Sequence, residues 1–423
     1  MIESRVMNSA VVAVGNELLI GKTVDTNGSW LSEKLTDLGV PVAGRWVTGD
    51  DPGSIQDCIK DALEKADIVI VTGGLGPTSD DLTRPAVADL FRHKLIEDPV
   101  LVQRLHDRFS AMGYDSLPQR NLVQAKVPEG AIVIDNKEGT APGLIIEDAG
   151  RVVILLPGVP REMKMIFDLK VKEYINSQFR SHLIPTLERT FNTSGIPESL
   201  LAEEMAGHTD KFPPDVSLAF LPGLKGVSLR ITTPDTDGKG LARLGLCEEV
   251  LMPVIAPHFY SMGATDIVDT LASLLLSAKK NLAVGESCTG GLISKRITDC
   301  PGSSRYFRGG IIAYDVETKS SVLGIEKQII ATKGVVSQEV ASLLAERSAR
   351  LMNADFGIGI TGVAGPGVGS SDVPVGTVCY AVFGDGRVHT FQKVFGGNRQ
   401  AVRTRAAQAA LFSFFQMLTN KLD

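Results

Sequence analysis

The chain has 423 residues, of which 43% are hydrophobic and 22% charged, and its formal net charge is -6. This length predicts two or three domains, each able to bury its own core. The acidic balance argues against general affinity for nucleic acid, and the apolar runs are too short and too interrupted to span a bilayer. We expect a cytoplasmic protein, because the N-terminal apolar run lacks a cationic leader and a cleavage site.

Cysteine and histidine are sparse and scattered. The five cysteines include no CxxC pair, so neither a disulfide framework nor a zinc site is indicated. The six histidines show no HxH or HxxxH spacing, and none is assigned a catalytic or metal-binding role.

The first segment, from about Ser9 to Ile175, alternates apolar strands with amphipathic helices. Alternation of this kind predicts parallel pairing in an α/β layered domain, with ligands at the carboxyl ends of the strands. Polar residues fall at these ends, and the third predicted strand runs into the glycine-rich turn GGLGPTSDD. Such a turn before a helix is typical of a phosphate cradle, with nearby acids available for a divalent cation. The alternative is simple helix capping by Asp80 and Asp81.

From about Glu188 to Pro257 the pattern changes to a strand, a helix and two strands joined by a glycine-containing turn. This order predicts a small α+β domain. It lacks a cluster of catalytic residue types, and no convincing GXXG clamp for RNA is present. We interpret it as a spacer and assembly surface, which favours a homodimer over nucleic-acid binding.

The segment after Ala264 opens with a helix, followed by the motif VGESCTGG between a short buried strand and a second helix. Amides at such a turn are free to bind an anion or a developing oxyanion, and Ser287 is the candidate nucleophile. The alternative for Ser287 is a helix N-cap.

A serine nucleophile needs a base, and His389, the sole histidine in this segment, lies beside a predicted turn. The remaining base is Lys319 with a depressed pKa, relayed by the hydroxyl of Tyr314 at the end of the next strand. Thr361 ends a third strand, so all four residues are expected to converge at one sheet edge. Taken singly, Tyr314 is also typical of a half-buried strand position and Lys319 of a solvated helix.

The N-terminal motifs GNELLIGKTVDTNGSWL, GGLGPTSDDLT and LLPGVPREM resemble the first domain of the CinA family, which is similar to molybdopterin-binding domains. The resemblance implies that Asp81 and Asp50 serve metal-assisted hydrolysis of the pyrophosphate of ADP-ribose. Glu17 is a further candidate ligand for the divalent ion, which would be Mg, Mn or Co. Molybdopterin stays open as the ligand. The implied substrate contacts of this domain are Asn27, Gly73, Gly74, Gly76, Thr78 and Ser79.

The C-terminal motifs GESCTGG, GSSRYFRGGIIAY, ITGVAGPG and GNRQAVRTRAAQAAL resemble the last domain of CinA, the nicotinamide mononucleotide deamidase family. The resemblance places catalysis on Ser287, Tyr314, Lys319 and Thr361, without a cofactor. The implied substrate contacts are Glu286, Cys288, Thr289, Gly290, Gly291, Gly309, Gly310, Gly362, Arg399 and Arg403. Two departures affect substrate contacts: Asp315-Val316 replaces the usual Ser-Asn, and Gly367-Val368-Gly369 replaces a glycine pair.

The middle region is similar to a KH-like module of CinA relatives. The resemblances therefore imply a molybdopterin-binding-like α/β layered domain at 1–178, a KH-like α+β domain at 179–260 and an α/β deamidase domain at 261–423. The expected partners are small-molecule nucleotides, namely nicotinamide mononucleotide and ADP-ribose, with no membrane. The competing class is a nucleotide- or molybdopterin-binding scaffold with vestigial sites, acting in competence or DNA repair. Molybdopterin adenylylation is a second enzymatic alternative.

Overall fold

The structure is a computed structural model that describes residues 7–114, 116–367 and 373–422. The chain divides into two compact units, one of residues 1–187 with 234–240 and one of residues 188–233 with 241–423. Within the described ranges, no helix combines the length and the apolarity that crossing a bilayer requires.

The first unit alternates strands and helices as far as residue 111, and four consecutive strands and two helices follow. Its strands are β1 (Ser9–Val14), β2 (Val42–Thr48), β3 (Ile68–Thr72), β4 (Leu95–Glu97), β5 (Lys126–Pro128), β6 (Ile132–Ile134), β7 (Gly143–Asp148) and β8 (Arg151–Leu156). Its helices are α1 (Asn16–Leu19), α2 (Thr26–Asp37), α3 (Pro52–Lys65), α4 (Thr83–Leu90), α5 (Pro99–Ala111), α6 (Pro160–Ile166) and α7 (Lys172–Phe179). A short π-helical turn, Phe167–Val171, joins the last two helices.

Six strands form one sheet in the order β2-β1-β3-β8-β7-β6. Successive residues of β1 point to opposite faces of the sheet, so Val12 packs in one apolar core and Val11 in the other. The predicted layered domain is therefore present, with helices over both faces. The prediction of parallel pairing holds for β2, β1, β3 and β8 and is wrong for β7 and β6, which run antiparallel. Ala149 and Gly150 both take positive φ and close β7 and β8 into a hairpin.

The second unit begins with a small α+β domain, as predicted. It contains β9 (Thr186–Thr193), α8 (Glu198–Met205), β10 (Ser217–Gly223), β11 (Gly226–Pro234), α9 (Gly240–Ile255) and β12 (Phe259–Met262). The sheet order is β10-β11-β9-β12. Along β11 burial alternates, so Leu229 and Ile231 enter the core whereas Arg230 is exposed.

The rest of the second unit is an α/β domain. Its elements are α10 (Ile267–Ala278), β13 (Leu282–Glu286), α11 (Leu292–Thr298), β14 (Phe307–Ile312), α12 (Val316–Leu323), α13 (Lys327–Lys333), α14 (Gln338–Leu351), β15 (Phe356–Gly362), β16 (Thr377–Gly384), β17 (Arg387–Val394) and α15 (Arg399–Leu418). The sheet order is β14-β13-β15-β16-β17. The first three strands are parallel, as predicted for β13 and β14, and the last two are antiparallel.

Two glycines of β15 let α14 lie directly on the sheet. A Cβ atom on Gly357 or on Gly359 would come 2.1 Å from a backbone carbonyl oxygen of α14. No side chain fits in that space, so the sequence FGIGIT specifies close helix-to-sheet packing. The strand is thereby fixed beside β13, whose carboxyl end carries the candidate serine.

Candidate active site

Ser287 lies in the turn between β13 and α11, and 6% of its surface is exposed. Its amide donates to the carbonyl of Ile360 at 3.0 Å, and its own carbonyl accepts from the amide of Gly290 at 3.0 Å. Gly290 and Gly291 have φ of 58° and 90°, a conformation that glycine adopts without strain. The turn is thus fixed to the neighbouring strand β15 and holds Ser287 at the sheet edge.

Glu286, the last residue of β13, holds this turn in place through hydrogen bonds. Its buried carboxylate accepts hydrogen bonds from the amides of Gly291, Ile293 and Ser294, and from the Ser294 hydroxyl, at 2.7–3.1 Å. These four bonds fill the acceptor sites of a carboxylate and place its charge at the positive end of α11. Glu286 therefore orients the turn, and its predicted substrate contact stays a prediction.

Lys319 extends from α12 to Ser287. The lysine is fully buried, and its Nζ lies 3.0 Å from the Oγ of Ser287. The other neighbours of Nζ are backbone carbonyls, those of Ala313 at 2.7 Å, Tyr314 at 3.3 Å and Asp315 at 3.5 Å. A neutral amine has two N–H donors for these carbonyls and one lone pair for the serine O–H. The surroundings of Nζ therefore suit a lysine that acts as a base.

Burial determines the protonation of this lysine. Desolvation lowers the pKa of Lys319 to about 8, against the opposing attraction of Asp315 and Cys288. The Asp315 carboxylate caps α12 by accepting from the amide of Thr318 at 2.6 Å. The lysine thus has no carboxylate as its direct hydrogen-bond partner in the part of the chain that the structure describes, and a useful fraction is neutral near physiological pH.

Tyr314 occupies the mouth of the site rather than its interior. Its side chain is 58% exposed, and its hydroxyl accepts a hydrogen bond from Arg399 at 2.9 Å. Arg399 also donates to the carbonyl of Gly365 at 2.8 Å. Lys319 contacts the Tyr314 backbone and reaches Ser287 directly, so the predicted relay through the phenol is not needed for proton transfer. Val368 and Gly369, which were expected to affect substrate contacts, lie outside the described residues.

Thr361 and Cys288 have structural surroundings. The Thr361 hydroxyl is buried and donates to the carbonyl of Val335 at 2.9 Å, which commits its proton. Cys288 packs in the main apolar core of the domain, and burial raises its pKa to about 12. The Thr361 hydroxyl is thus engaged with the backbone and the Cys288 thiol is kept neutral, and the predicted catalytic and binding roles of these residues stay predictions.

Some amides of the Ser287 turn are hydrogen-bonded within the protein and others are not. Gly290 donates to Ser287 and Gly291 to Glu286, so neither amide is available for an oxyanion. Among the described residues, no backbone carbonyl accepts from the amides of Cys288 and Thr289, and the buried hydroxyl of Thr289 has no partner. The residue after the nucleophile commonly supplies an oxyanion donor at a strand-to-helix turn. This rule is the sequence signal that points to the amide of Cys288.

The remaining residues with predicted substrate contacts pack against neighbouring elements or support the turn. A Cβ on Gly310 would lie 2.1 Å from the Ser294 hydroxyl, so this glycine of β14 provides space for α11, and Gly309 lies next to it. Gly362 is likewise enclosed, since its Cβ would lie 2.7 Å from the carbonyl of Thr377. Arg403 on α15 donates to the carbonyl of Thr289 and thereby supports the turn.

In the first unit, the predicted phosphate cradle is a compact turn. The Asp81 carboxylate accepts from the amide of Thr78 at 2.8 Å and from its hydroxyl at 2.6 Å. Gly76 packs against the same carboxylate, since a Cβ there would come 2.4 Å from it. Gly73 and Gly74 have positive φ, and a Cβ on either would collide with a neighbouring oxygen. Ser79 is exposed and bonds to Asp80 at 3.1 Å.

Other predicted residues lie at the carboxyl ends of β1, β2 and β3. Asp50 accepts from the amide of Asn16 at 3.1 Å, and Glu17 is exposed in α1. Asn27 donates to Thr72 at 3.2 Å and to the carbonyl of Gly158 at 2.8 Å, while its own carbonyl oxygen is buried without a partner. No group of three or more His, Cys, Asp or Glu residues that would suit a metal occurs in the described ranges.

Arg84 is a residue that sequence reasoning missed. It is 3% exposed and donates to the carbonyls of Gly76 at 3.2 Å and Gln124 at 3.1 Å. Burial lowers its pKa to about 10, and the charge of Asp81 partly opposes this shift. A buried guanidinium thus lies against the glycine-rich turn, where its positive charge favours an anion. Its place three residues after Asp81, at the start of α4, is the available sequence signal.

The fold and the Ser287–Lys319 contact define a multidomain α/β protein that is consistent with a hydrolase. Three family models match consecutive parts of the chain: a probable molybdopterin binding domain at 10–177, the damage-inducible protein CinA KH domain at 188–261 and the CinA C-terminal domain at 264–418. A CinA-like protein of Gemmatimonas aurantiaca is 39% identical over 96% of this chain and 95% of its own length.

A putative competence-damage inducible protein of Halothermothrix orenii is 38% identical over 97% of this chain and 99% of its own. A solved structure of CinA with unknown function from Thermoplasma acidophilum is 38% identical and covers 40% of this chain and 98% of its own, with a TM-score of 0.38. The chain belongs to the CinA family. The predicted family, the molybdopterin-binding-like and KH-like domains and the α/β fold of the C-terminal domain are therefore confirmed.

Proposed function

We propose that the C-terminal domain hydrolyses the carboxamide of nicotinamide mononucleotide to nicotinate mononucleotide and ammonia. The observation that supports this most strongly is the 3.0 Å contact between the fully buried Lys319 amine and the Ser287 hydroxyl. A serine paired with a desolvated lysine is an established arrangement for acyl transfer. A carboxamide is an acyl substrate whose leaving group is ammonia.

In this mechanism neutral Lys319 takes the hydroxyl proton of Ser287 as Oγ attacks the carboxamide carbon. The carbonyl oxygen becomes an oxyanion, which the free amides of Cys288 and Thr289 are placed to stabilise. Protonated Lys319 then gives its proton to the amide nitrogen, and ammonia leaves an acyl ester on Ser287. Water hydrolyses this ester with Lys319 again acting as base, which restores the serine hydroxyl and releases the carboxylate.

The mouth of the site supplies the groups for the rest of the nucleotide. Arg399 donates to the Tyr314 hydroxyl and to the Gly365 carbonyl, so its guanidinium is positioned at the rim with further N–H donors. A guanidinium of this kind suits a phosphate, and the exposed phenol ring of Tyr314 suits a pyridinium ring. Both residues would therefore act in substrate binding rather than in proton transfer.

The test is ammonia release from nicotinamide mononucleotide by the full chain and by Ser287→Ala and Lys319→Met. Each variant should lose roughly three orders of magnitude or more in rate, because nucleophile and base act as a unit. Lys327→Met, at the start of α13, is the matched control because Lys327 is exposed. Full activity in a folded Ser287→Ala would remove the proposal, and no activity in the parent would favour a nucleotide-binding scaffold.

We propose further that the N-terminal domain hydrolyses the pyrophosphate of ADP-ribose with a divalent ion. The support is the glycine-rich turn beside buried Arg84, with the half-buried Asp50 and the exposed Glu17 at neighbouring strand ends. These residues do not form a complete metal site. Such ions are commonly held by one or two carboxylates together with substrate phosphates, so Asp50 and Asp81 would bind Mg, Mn or Co with the nucleotide. The ion would supply charge neutralisation at the phosphates.

The corresponding test measures metal-dependent cleavage of ADP-ribose by Asp50→Asn, with Asp80→Asn as the control. Asp50→Asn should lower the rate at least about 10-fold, because it removes one anionic ligand. Equal rates in both variants would count against the role of Asp50. Tight binding of molybdopterin in place of ADP-ribose would support the alternative ligand.

A further inference from the structure

The second unit contains a groove of about 550 Å³ that lies apart from the Ser287 turn. One wall is the middle of α15, a second is formed by β16 and β17, and a third by the small α+β domain. The groove lies where two domains of one compact unit meet, which is a common place for ligand sites. Its volume lies within the range that small-molecule sites occupy.

The wall formed by β16 and β17 is aromatic. The rings of Tyr380 and Phe391 stack with centroids 5.0 Å apart and an interplanar angle of 16°. Tyr380 is 1% exposed, so it forms the base of the stack, whereas Phe391 and Phe395 are half-buried and line the groove. A planar ring that enters the groove could stack in an offset arrangement on the aromatic side chains of this wall.

The charge of the groove is positive. Arg405 and Lys393 both line it, and Glu198 is the one acid among the lining residues. Arg405 is half-buried and donates to the carbonyl of Gly396, which uses one of its five N–H groups. In the described part of the chain, neither Arg405 nor Lys393 has a carboxylate within ion-pair distance. The remaining N–H groups of the Arg405 guanidinium are therefore available to an anion that enters the groove.

We propose that this groove is a binding site for a small anion that carries a planar aromatic ring, such as a mononucleotide. The ring lies on Phe391 and Phe395, and the anionic group pairs with Arg405 and Lys393. The groove is separate from the proposed deamidase site, since Arg399 and Arg403 of α15 face that site and Arg405 faces the groove. The proposal does not depend on the activity of either hydrolase.

The probe is 8-anilinonaphthalene-1-sulfonate, a planar aromatic anion whose fluorescence rises in apolar surroundings. Titration of the full chain should show a saturable site, and adenosine monophosphate should displace the probe more effectively than adenosine. Arg405→Gln should weaken the probe at that site about 10-fold, the effect of losing one charge-assisted pair. Arg305→Gln, which changes an exposed arginine that does not line the groove, should leave it unchanged.

Ala409→Trp fills the groove from α15 and should abolish the saturable site, whereas Ala409→Ser should preserve it. Circular dichroism checks that both variants fold. Equal binding by Arg405→Gln and Arg305→Gln overturns the proposal, and so does undiminished binding by a folded Ala409→Trp. If Ala409→Trp does not fold, the comparison of the two arginine variants decides alone.

Discussion

The Nζ of Lys319 lies 3.0 Å from the Oγ of Ser287, and its other hydrogen-bond partners are backbone carbonyls. These carbonyls can accept from either protonation state of the amine, so they do not hold a proton on it as a carboxylate would. Burial is the larger influence and lowers the pKa of Lys319 to about 8. Lys319 is therefore protonated at low pH and becomes a neutral amine, able to accept a proton from Ser287, as the pH rises.

The first prediction concerns the pH dependence of ammonia release. The rate constant kcat/KM should rise with unit slope below the pKa of about 8 and level off above it, because only neutral Lys319 accepts the serine proton. The measurement is kcat/KM for nicotinamide mononucleotide across this range. A profile that is already flat at about pH 6 would show that a different base serves Ser287.

The second prediction concerns stability. The folded-state pKa of Lys319 lies below its usual 10.5, so the unfolded chain binds more protons between these values and stability rises with pH there. Below the folded pKa, burying the charged amine destabilises the fold. Lys319→Met removes this cost and the hydrogen bonds together. Its melting temperature relative to the parent should therefore fall as the pH rises from about 7 to about 10.

Thermal unfolding at both pH values measures this difference. Lys327→Met should show no comparable trend, since Lys327 is exposed and paired with Glu317 at the surface. A pH-independent difference between Lys319→Met and the parent would mean that Lys319 keeps its ordinary pKa in the folded chain.

The third prediction concerns the support of the turn by Glu286. Glu286→Gln replaces one acceptor oxygen by an NH₂ group that faces amide or hydroxyl donors, so about 1–3 kcal/mol of unfolding free energy should be lost. Urea unfolding of the full chain, followed through the transition of the second unit, measures this loss of free energy. Deamidase activity should fall as well, because the Ser287 turn loses its anchor. Glu317→Gln on α12 changes an exposed carboxylate and should cost less than about 1 kcal/mol.

Much of this site follows from local sequence patterns. The apolar residues before VGESCTGG predict β13, the pattern after it predicts α11, and the chain onward predicts a parallel β14 with Lys319 on the next helix. The capping role of Glu286 could also be predicted from the sequence, since its hydrogen-bond partners lie 5–8 residues away, at the start of α11. A carboxylate that ends a strand just before a helix is well placed to cap that helix.

Other features depend on contacts that are distant in sequence. The Thr361 hydroxyl bonds to Val335, 26 residues earlier, and Arg399 reaches Tyr314 across 85 residues. No spacing rule predicts such hydrogen-bond partners, so the surroundings of Thr361 and Tyr314 could not be read from the sequence. The antiparallel β7 was missed for a local reason, because the Ala149-Gly150 turn carries a weaker signal than Asn-Gly.

The final prediction separates binding from proton transfer at Tyr314. Tyr314→Phe keeps the ring but removes the hydroxyl that accepts from Arg399. We expect KM for nicotinamide mononucleotide to rise severalfold while kcat changes by less than about 3-fold, because Arg399 loses an orienting partner and Lys319 still reaches Ser287.

Steady-state kinetics of Tyr314→Phe, Arg399→Gln and the double variant measure both constants. The two substitutions should be non-additive in KM, since each removes one partner of the same hydrogen bond. A fall of about 100-fold or more in kcat with Tyr314→Phe would instead mark the phenol as a general acid or base. In that case the direct Lys319–Ser287 transfer would be insufficient, and the hydroxyl would have to leave Arg399 to enter the reaction.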